Sequence, residues 1–366
     1  MWRKLRFLTI LILLLVGTSV CAEKPNINAQ SAILIDKHSQ RVLFSYNPHI
    51  KLPMASTTKI MTALVALEKG DLSSLVTVDQ EAVGIEGSSI YLRDGEVLSL
   101  EDLLYGLMLR SGNDSAVAIA NHIGGDSQTF IKIMNEKAKD IGAMNTNFVN
   151  PHGLHADNHF TTAYDLALIT AEALKIDKFQ DIVSTKVWYA NRDKNNIFYN
   201  KNKTLWEYEG GDGVKTGYTM RAGRCLVTSA TRADTQLIAI VLNDRDWFKD
   251  CYKLMDYGFE NFKNYVIYEE GQFIKNIAIQ NGEKELLHAV AKESFYYPLK
   301  EDELDRVKIN INLPEYLEAP INKGEKLGDI TVYLDGQIIH KGSIIAKEEV
   351  DQLSVIKRLI RRIRNN

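Results

Sequence analysis

The chain has 366 residues, with 44 lysines and arginines against 47 aspartates and glutamates, which gives a formal net charge of -3. This length is sufficient for a substantial hydrophobic core, organised as two domains. The small negative charge argues against nucleic acid as a partner, because nucleic-acid-binding domains usually carry a strong positive charge.

The N-terminal segment predicts export from the cytoplasm. Arg3, Lys4 and Arg6 precede an apolar run at residues 7–16, and small residues follow up to Ala22. This pattern is typical of a cleaved signal peptide at residues 1–22. A lipoprotein cleavage site at Cys21 is the alternative. We therefore expect a mature protein that acts outside the cytoplasm on extracellular targets.

The next elements place a serine and a lysine on one helix face. Residues 31–35 and 42–46 alternate and predict a β-hairpin. Helical spacing of apolar residues follows, and Pro53 and Ser56 mark the start of that helix. Residues three apart share a helix face, so the Lys59 amine can reach the Ser56 hydroxyl. Such a pair has the residue types of a nucleophile and its base. A capping serine beside a solvated lysine is the alternative.

A second pair of polar residues follows a helix. Short β-rich stretches are predicted at 76–78 and 89–92, and residues 99–102 resemble a capping box for a helix that ends near Arg110. Ser111 and Asn113 then lie in a tight turn before another helix at 117–123. The turn predicts a hydroxyl and an amide that project into a cleft, although both residues can also serve as helix caps.

The middle of the chain predicts a polar loop and another helix. Residues 150–159 contain proline, glycine and three histidines, and we predict a loop that borders a cleft. Metal binding by these histidines is the alternative, but their spacing matches no strong ligand motif. A capping box at Thr162 and Asp165 predicts a helix through Leu174.

A third motif is predicted on the edge of a sheet. Residues 197–208 have a strand-like pattern, and 225–230 and 237–242 alternate like neighbouring antiparallel strands. Lys215-Thr216-Gly217 precedes these strands and is predicted at the sheet edge. There Gly217 would allow a ligand backbone to approach, while Lys215 and Thr216 would offer a cation and a hydroxyl to an anionic group.

Cys225 and Cys251 remain after removal of the signal peptide. Two cysteines do not make a disulfide scaffold. Because each lies in an apolar stretch, we predict buried free thiols, with a single disulfide bridge as the alternative.

The C-terminal third predicts a small β-sandwich domain and an amphipathic tail. Short alternating runs occur at 273–279, 286–290, 307–313 and 330–334, within a predicted domain at 266–346. In residues 348–366 apolar residues recur at helical spacing among five basic residues. This pattern predicts a helix on an anionic membrane surface. A solvated or domain-packed helix is the alternative.

Taken together, the three motifs resemble those of penicillin-binding proteins and serine β-lactamases. The surrounding residues, including 150–154 and 212–226, are most similar to the low-molecular-weight D-alanyl-D-alanine carboxypeptidases. The resemblance covers essentially the whole chain. It implies an α/β (α+β) fold with a mainly antiparallel sheet flanked by helices, and a catalytic domain at residues 23–262.

The resemblance also implies a role for each motif residue. Ser56 would be the nucleophile, Lys59 its base and Ser111 a proton relay to the leaving amine. Asn113 would hold the substrate amide, and Lys215 would keep the site positive and Lys59 neutral.

The remaining substrate contacts are implied in the same way. Thr216 would bind the terminal carboxylate beside Gly217, with Arg245 as a second contact. The backbone N–H groups of Ser56 and Tyr218 would form the oxyanion hole.

The implied activity is removal of the terminal D-alanine from peptidoglycan stem pentapeptides, with β-lactams as covalent inhibitors. No metal or cofactor is expected. A serine β-lactamase and a catalytically silent wall-binding protein are the alternatives. The expected location is the outer face of the cytoplasmic membrane, with peripheral attachment.

Overall fold

The computed structural model describes residues 24–357 of the chain. The predicted signal peptide at 1–22 and residues 358–366 of the predicted tail helix lie outside the described residues. Within the described range, no helix combines the length and the apolar character needed to cross a membrane.

A five-stranded antiparallel sheet forms the centre of the larger part, with strand order β2-β1-β9-β8-β7. The predicted hairpin is confirmed as its first two strands. The motif Lys215-Thr216-Gly217 lies on β7, which is an edge strand as predicted. The strand bounds are β1 Ser31–Asp36, β2 Val42–Tyr46, β7 Gly211–Thr219, β8 Gly223–Arg232 and β9 Thr235–Leu242.

Two short antiparallel pairs lie outside this sheet. They are β3 Leu75–Thr77 with β4 Val97–Ser99, and β5 Val187–Tyr189 with β6 Ile197–Tyr199.

Helices cover both faces of the central sheet. Their bounds are α1 Lys59–Lys69, α2 Leu100–Tyr105, α3 Asn113–Gly124, α4 Ser127–Ile141, α5 Ala163–Ala173, α6 Asp177–Ser184, α7 Thr204–Glu207 and α8 Trp247–Asn261. Successive side chains of β1 point to opposite faces of the sheet, so this strand contributes to the hydrophobic cores on both faces. Ile33 and Ile35 belong to the core that contains residues of α1 and α5. Leu34 faces the other way, into a core with Leu254 of α8. The predicted α+β architecture is confirmed.

The cysteines are buried on this sheet and on α8. Cys225 and Cys251 are both free thiols, as predicted. Burial raises the pKa of Cys225 to about 12 and also raises the pKa of Cys251 well above its ordinary value.

The C-terminal part is rich in β-structure. A six-stranded sheet has the order β14-β16-β17-β12-β11-β15, and β10 pairs with β13. Its own hydrophobic cluster includes Ile277, Leu287 and Ile330. The bounds are β10 Lys263–Tyr268, β11 Phe273–Gln280, β12 Leu286–Ala291, β13 Phe295–Leu299, β14 Val307–Asn312, β15 Tyr316–Glu318, β16 Lys326–Leu334 and β17 Gln337–Ala346.

Three predicted elements are wrong in detail. Residues 89–92 form no strand, and β3 pairs with β4 instead. Residues 197–208 contain a three-residue strand followed by the short helix α7. The tail prediction fails at its start, because Val350 is buried and forms a β-bridge with Ile321, and helical structure begins only at Val355.

Candidate active site

Ser56 lies in a tight turn immediately before α1. Residues Ala55–Thr58 form a 3-10 helix, and the α-helix begins at Lys59. The hydroxyls of Thr57 and Thr58 donate to the carbonyls of Met54 and Ala55 at 2.7 and 2.9 Å. These bonds close the turn that the sequence predicts as a helix start. They leave the Ser56 side chain at the N-terminal end of the helix.

The Lys59 side chain is fully buried and ends between three oxygen atoms. Its Nζ lies 3.0 Å from Ser56 Oγ, 2.6 Å from Asn113 Oδ1 and 2.6 Å from the His152 carbonyl oxygen. A neutral amine has two N–H donors and one lone pair. The two carbonyl oxygens can accept only hydrogen bonds, so they take both donors. The lone pair is then available to the Ser56 hydroxyl, which is the arrangement that a general base requires.

The electrostatic environment favours this neutral form. The pKa of Lys59 is well below its ordinary value, first because of burial and then because of the positive charges of Lys215 and Lys201. Asp114 acts in the opposite direction but does not reverse the shift. Removal of an ammonium group from water disfavours its charged form.

Ser111 and Asn113 approach the same region from the turn before α3. A π-helical segment, Gly106–Arg110, ends at Ser111, whose backbone is left-handed with a φ of 64°. Asn113 receives the Lys59 hydrogen bond at Oδ1 and donates through Nδ2 to the Glu86 carbonyl at 2.5 Å. Its amide therefore has a fixed orientation. Both side chains are buried.

Asp114 supports this arrangement and was not singled out in the sequence. Its carboxylate accepts hydrogen bonds from the Ile90 and Leu92 backbone N–H groups at 3.0–3.1 Å and from Ser89 Oγ at 2.5 Å. These bonds hold residues 89–92 against α3. They also explain why this alternating stretch pairs with no neighbouring strand, since its N–H groups are already used.

The edge strand β7 passes close to the Ser56 turn. A Cβ atom added at Gly217 would lie 3.0 Å from the Ser56 backbone nitrogen and 3.1 Å from that of Thr57. Glycine is therefore needed for this close approach. On either side of Gly217, Thr216 is half-buried and Tyr218 is largely exposed.

Lys215 is buried on the same strand. Its Nζ donates to the Thr216 carbonyl at 3.0 Å. Burial, together with the charge of Lys201, lowers the pKa of Lys215 to about 7. The positive charge of Lys215 lowers the pKa of Lys59, but Lys215 itself is only partly charged near neutral pH. Lys201 is an additional cation of the site, and no motif in the sequence indicated it.

Arg245 is exposed to solvent. It lines a cavity of about 560 Å³ together with Tyr218, Arg224 and Trp247. The Arg245 carbonyl accepts a hydrogen bond from Arg224 Nη1 at 2.8 Å. The structure thus places Arg245 beside Tyr218, with its guanidinium open to solvent.

The predicted loop at 150–159 packs against the Ser56 turn. A Cβ at Gly153, which has a φ of +92°, would overlap the Ala55 carbonyl oxygen at 1.9 Å. His159 contacts Thr58 Oγ1 at 2.8 Å and accepts from the Val149 N–H at 3.0 Å. Between residues 24 and 357 no group of three histidine, cysteine or acidic side chains is placed to hold a metal ion. The loop therefore supports the Ser56 turn and supplies the His152 carbonyl to Lys59.

Comparisons with known proteins match both parts of the chain. Residues 18–246 match the family model described as D-alanyl-D-alanine carboxypeptidase, and residues 262–352 match the model for the C-terminal domain of penicillin-binding protein 5. The chain is 34% identical to D-alanyl-D-alanine carboxypeptidase DacF of Bacillus subtilis, over 90% of this chain and 87% of that protein. It is 33% identical to DacC of Escherichia coli, over 90% and 86%.

A solved structure supports the same relationship. Penicillin-binding protein 5 of Haemophilus influenzae superposes with a TM-score of 0.77 and 31% identity. The superposition covers 90% of this chain and all of that chain.

Proposed function

The chain belongs to the D-alanyl-D-alanine carboxypeptidase family, and we propose that it removes the terminal D-alanine of peptidoglycan stem pentapeptides through an acyl-enzyme on Ser56. It is an enzyme of the D-Ala-D-Ala carboxypeptidase class. The observation that carries the proposed mechanism is the buried Lys59 amine at 3.0 Å from the Ser56 hydroxyl.

In the acylation step, Ser56 Oγ attacks the carbonyl carbon of the penultimate D-alanine while Lys59 Nζ takes the hydroxyl proton. The developing oxyanion accepts hydrogen bonds from the Ser56 and Tyr218 N–H groups. Ser111 then relays the proton from Lys59 to the nitrogen of the leaving D-alanine as the C–N bond breaks, which returns Lys59 to its neutral form. The products of this step are free D-alanine and an ester on Ser56.

Substrate orientation depends on groups at the two ends of the cleft. Thr216 donates its hydroxyl to the terminal carboxylate, and Arg245 approaches the same carboxylate from the cavity side. Lys215 adds positive charge, and Asn113 holds an amide of the peptide. Water then attacks the ester with Lys59 as base, which regenerates Ser56 and releases the shortened peptide.

Release of D-alanine from a soluble peptide ending in D-Ala-D-Ala tests the activity. Wild-type mature protein should release D-alanine, and Ser56→Ala should release none above background because the nucleophile is absent. The control is Ser73→Ala, since Ser73 is at the surface and far from Ser56 in the sequence; its hydrogen bonds go to the neighbouring Asp71. Absence of release by wild type would refute the proposal.

β-Lactam reactivity distinguishes the main alternatives. A β-lactam presents a strained amide to Ser56, so a fluorescent penicillin should label wild type stoichiometrically and Ser56→Ala not at all. Sustained rapid hydrolysis of nitrocefin would instead indicate a serine β-lactamase. The sequence lacks the Glu-x-x-Leu-Asn loop that positions the deacylating water in one major class of these enzymes. Complete absence of labelling would indicate a catalytically silent wall-binding protein.

Export and membrane attachment are parts of the same proposal. Residues 1–22 would be removed as a signal peptide, residues 23–262 would form the catalytic domain, and residues 266–346 would form the β-sandwich domain. The basic tail would bind anionic lipid. Cosedimentation with anionic liposomes should fall for a chain ending at Lys357, a boundary that retains the buried Val350. Equal sedimentation of both chains would refute the attachment.

A further inference from the structure

The β5–β6 hairpin carries an aromatic surface that the catalytic motifs do not use. On its outward face Tyr189 is 69% exposed, Tyr199 is 55% exposed and Ile197 is 40% exposed. Tyr189 pairs with Ile197 across the two strands, and Val187 pairs with Tyr199. Tyr189 and Tyr199 are therefore diagonal neighbours on one face, about 7–8 Å apart between their Cα atoms. We call Tyr189, Ile197 and Tyr199 the hairpin platform.

The platform rests on a rigid support. On the opposite face of the hairpin Phe198 is buried and Trp188 stacks on Tyr105 with ring centroids 3.7 Å apart. Trp188 Nε1 donates to Asp102 Oδ1 at 2.7 Å. Exposed rings on a rigid strand pair lose little conformational entropy when a ligand binds.

The end of the hairpin is fixed in the same way. Arg192 in its turn is 97% buried by side chain, pairs with Glu96 at 2.9 Å, and donates to the Ile90 carbonyl at 2.7 Å. Ile90 belongs to the segment that Asp114 holds beside Asn113. The hairpin is thus connected through hydrogen bonds to the catalytic turn before α3.

The platform is also continuous with the catalytic cleft along the chain. Tyr199 ends β6, and Lys201 lies only two residues later. Strand β6 packs against the Gly106–Arg110 segment, which leads directly into the turn that carries Ser111 and Asn113. A polymer whose peptide branch occupies the cleft can therefore extend its main chain across the platform.

We propose that the hairpin platform binds the glycan strand of peptidoglycan, next to the stem peptide held in the cleft. The apolar faces of sugar rings pack on Tyr189 and Tyr199, and exposed Asn191 and Asn195 in the hairpin turn offer amides to sugar hydroxyls. The turn also exposes Asp193 and Lys194, which have opposite charges. A surface of amides, phenol rings and offsetting charges suits a polymer of N-acetylated sugars better than a strongly charged ligand. The choice of glycan rests on the proposed function.

Binding is measured in the Ser56→Ala background, so that hydrolysis cannot interfere. The probe is a preparation of glycan strands of alternating N-acetylglucosamine and N-acetylmuramic acid, freed enzymatically of stem peptides, and the method is isothermal titration calorimetry. Adding Tyr189→Ala and Tyr199→Ala together should weaken binding about tenfold, the loss expected for two stacking rings. Tyr189→Phe with Tyr199→Phe should retain most of the affinity, because the rings remain.

A matched control tests whether the loss of binding is specific to the hairpin platform or follows from the loss of any exposed tyrosine. Tyr316 is 56% exposed on β15 of the C-terminal sheet, and Tyr316→Ala should bind glycan like the parent. Thermal unfolding of each variant verifies that the fold is retained. Undetectable binding by the parent, or equal binding by the parent and the double alanine variant, would overturn the inference and assign the platform to another ligand.

A kinetic comparison distinguishes this inference from the proposed function. In a chain with Ser56 intact, the double alanine variant should keep kcat/KM for a soluble D-Ala-D-Ala tripeptide within about twofold and lose about tenfold on glycan-linked pentapeptide. Glycan binding without tripeptide hydrolysis would refute the function alone. Tripeptide hydrolysis without any glycan contribution would refute the inference alone.

Discussion

Substitution of Lys59 by methionine tests whether the base is neutral in the resting enzyme. Methionine has a similar length and fits a buried position, but it removes the amine that contacts Ser56 Oγ, Asn113 Oδ1 and the His152 carbonyl. Activity will be lost in any case. The informative quantity is the pH dependence of the free energy of unfolding, because that dependence counts protons.

The expected magnitude follows from proton linkage. A lysine in the unfolded chain has its ordinary pKa of 10.5, so between pH 7 and pH 9 it carries a proton. Folded Lys59, with its lowered pKa, carries none if it serves as a base. The unfolded state then binds one more proton, and stability rises by about 1.4 kcal/mol per pH unit, or about 2.7 kcal/mol across this window. The free-energy cost of deprotonating Lys59 on folding is present below the unfolded pKa of 10.5 and disappears as the pH approaches that value.

The assay is urea unfolding of wild type and Lys59→Met at several pH values between 7 and 9. Lys215 contributes a slope of the same sign in both proteins, because its pKa is lowered to about 7. The difference between the two slopes therefore isolates Lys59. Lys69→Met, at the exposed end of the same helix, is the control and should keep the wild-type slope. Equal slopes for Lys59→Met and wild type would show that folded Lys59 is protonated, and would refute its role as base.

Three further predictions concern the cleft and the C-terminal part. Gly217→Ala should slow acylation by fluorescent penicillin about 100-fold to 1000-fold. The added Cβ would lie 3.0 Å from the Ser56 backbone nitrogen and would displace this donor to the oxyanion. An unchanged rate would show that the Ser56 N–H is not part of the oxyanion hole. Binding of a D-Ala-D-Ala peptide to Ser56→Ala at pH 7.5 should take up protons, since a carboxylate raises the pKa of Lys215 from about 7. Calorimetry in buffers of different ionisation enthalpy measures this uptake, and its absence would contradict carboxylate binding near Lys215. Val350→Ala should destabilise the C-terminal cluster by about 2 kcal/mol, measured by urea unfolding, with unchanged kcat; unchanged stability would contradict a packing role for Val350.

Local signals in the sequence predicted those elements whose hydrogen bonds are themselves local. Ser99 and Thr162 cap α2 and α5 by accepting from the N–H groups of Asp102 and Asp165, three residues later. These helix caps could be located in the sequence because the capping residue and the N–H group that it accepts from lie in the same helical turn. The edge position of Lys215 was also predictable, since strong alternation in the two following segments indicated neighbouring antiparallel strands.

The sequence could not predict contacts between distant segments. The alternating stretch at 89–92 pairs with no strand, because the Asp114 carboxylate 22–25 residues later accepts its hydrogen bonds. Val350 recurs at helical spacing with later apolar residues, but its pairing with Ile321 fixes it in a β-bridge. Lys201 belongs to no motif, and only the fold brings its charge near Lys59. In each case tertiary contacts override a local pattern.

The lowered pKa values of Lys59 and Lys215 bear on how the Ser56 site can be reactive although neither lysine is fully protonated in the resting enzyme. Lys59 and Lys215 are both desolvated, and the positive charge of Lys215 lowers the pKa of Lys59. Before substrate binds, the partial neutrality of Lys215 reduces the cost of burying its ammonium group. In the mechanism that we propose, a terminal carboxylate bound near Lys215 would favour protonation of Lys215. That charge would then oppose protonation of Lys59 from solvent, so that the Lys59 lone pair would stay available for the Ser56 proton. The proposed substrate would thus complete the electrostatic arrangement that a base at Lys59 requires.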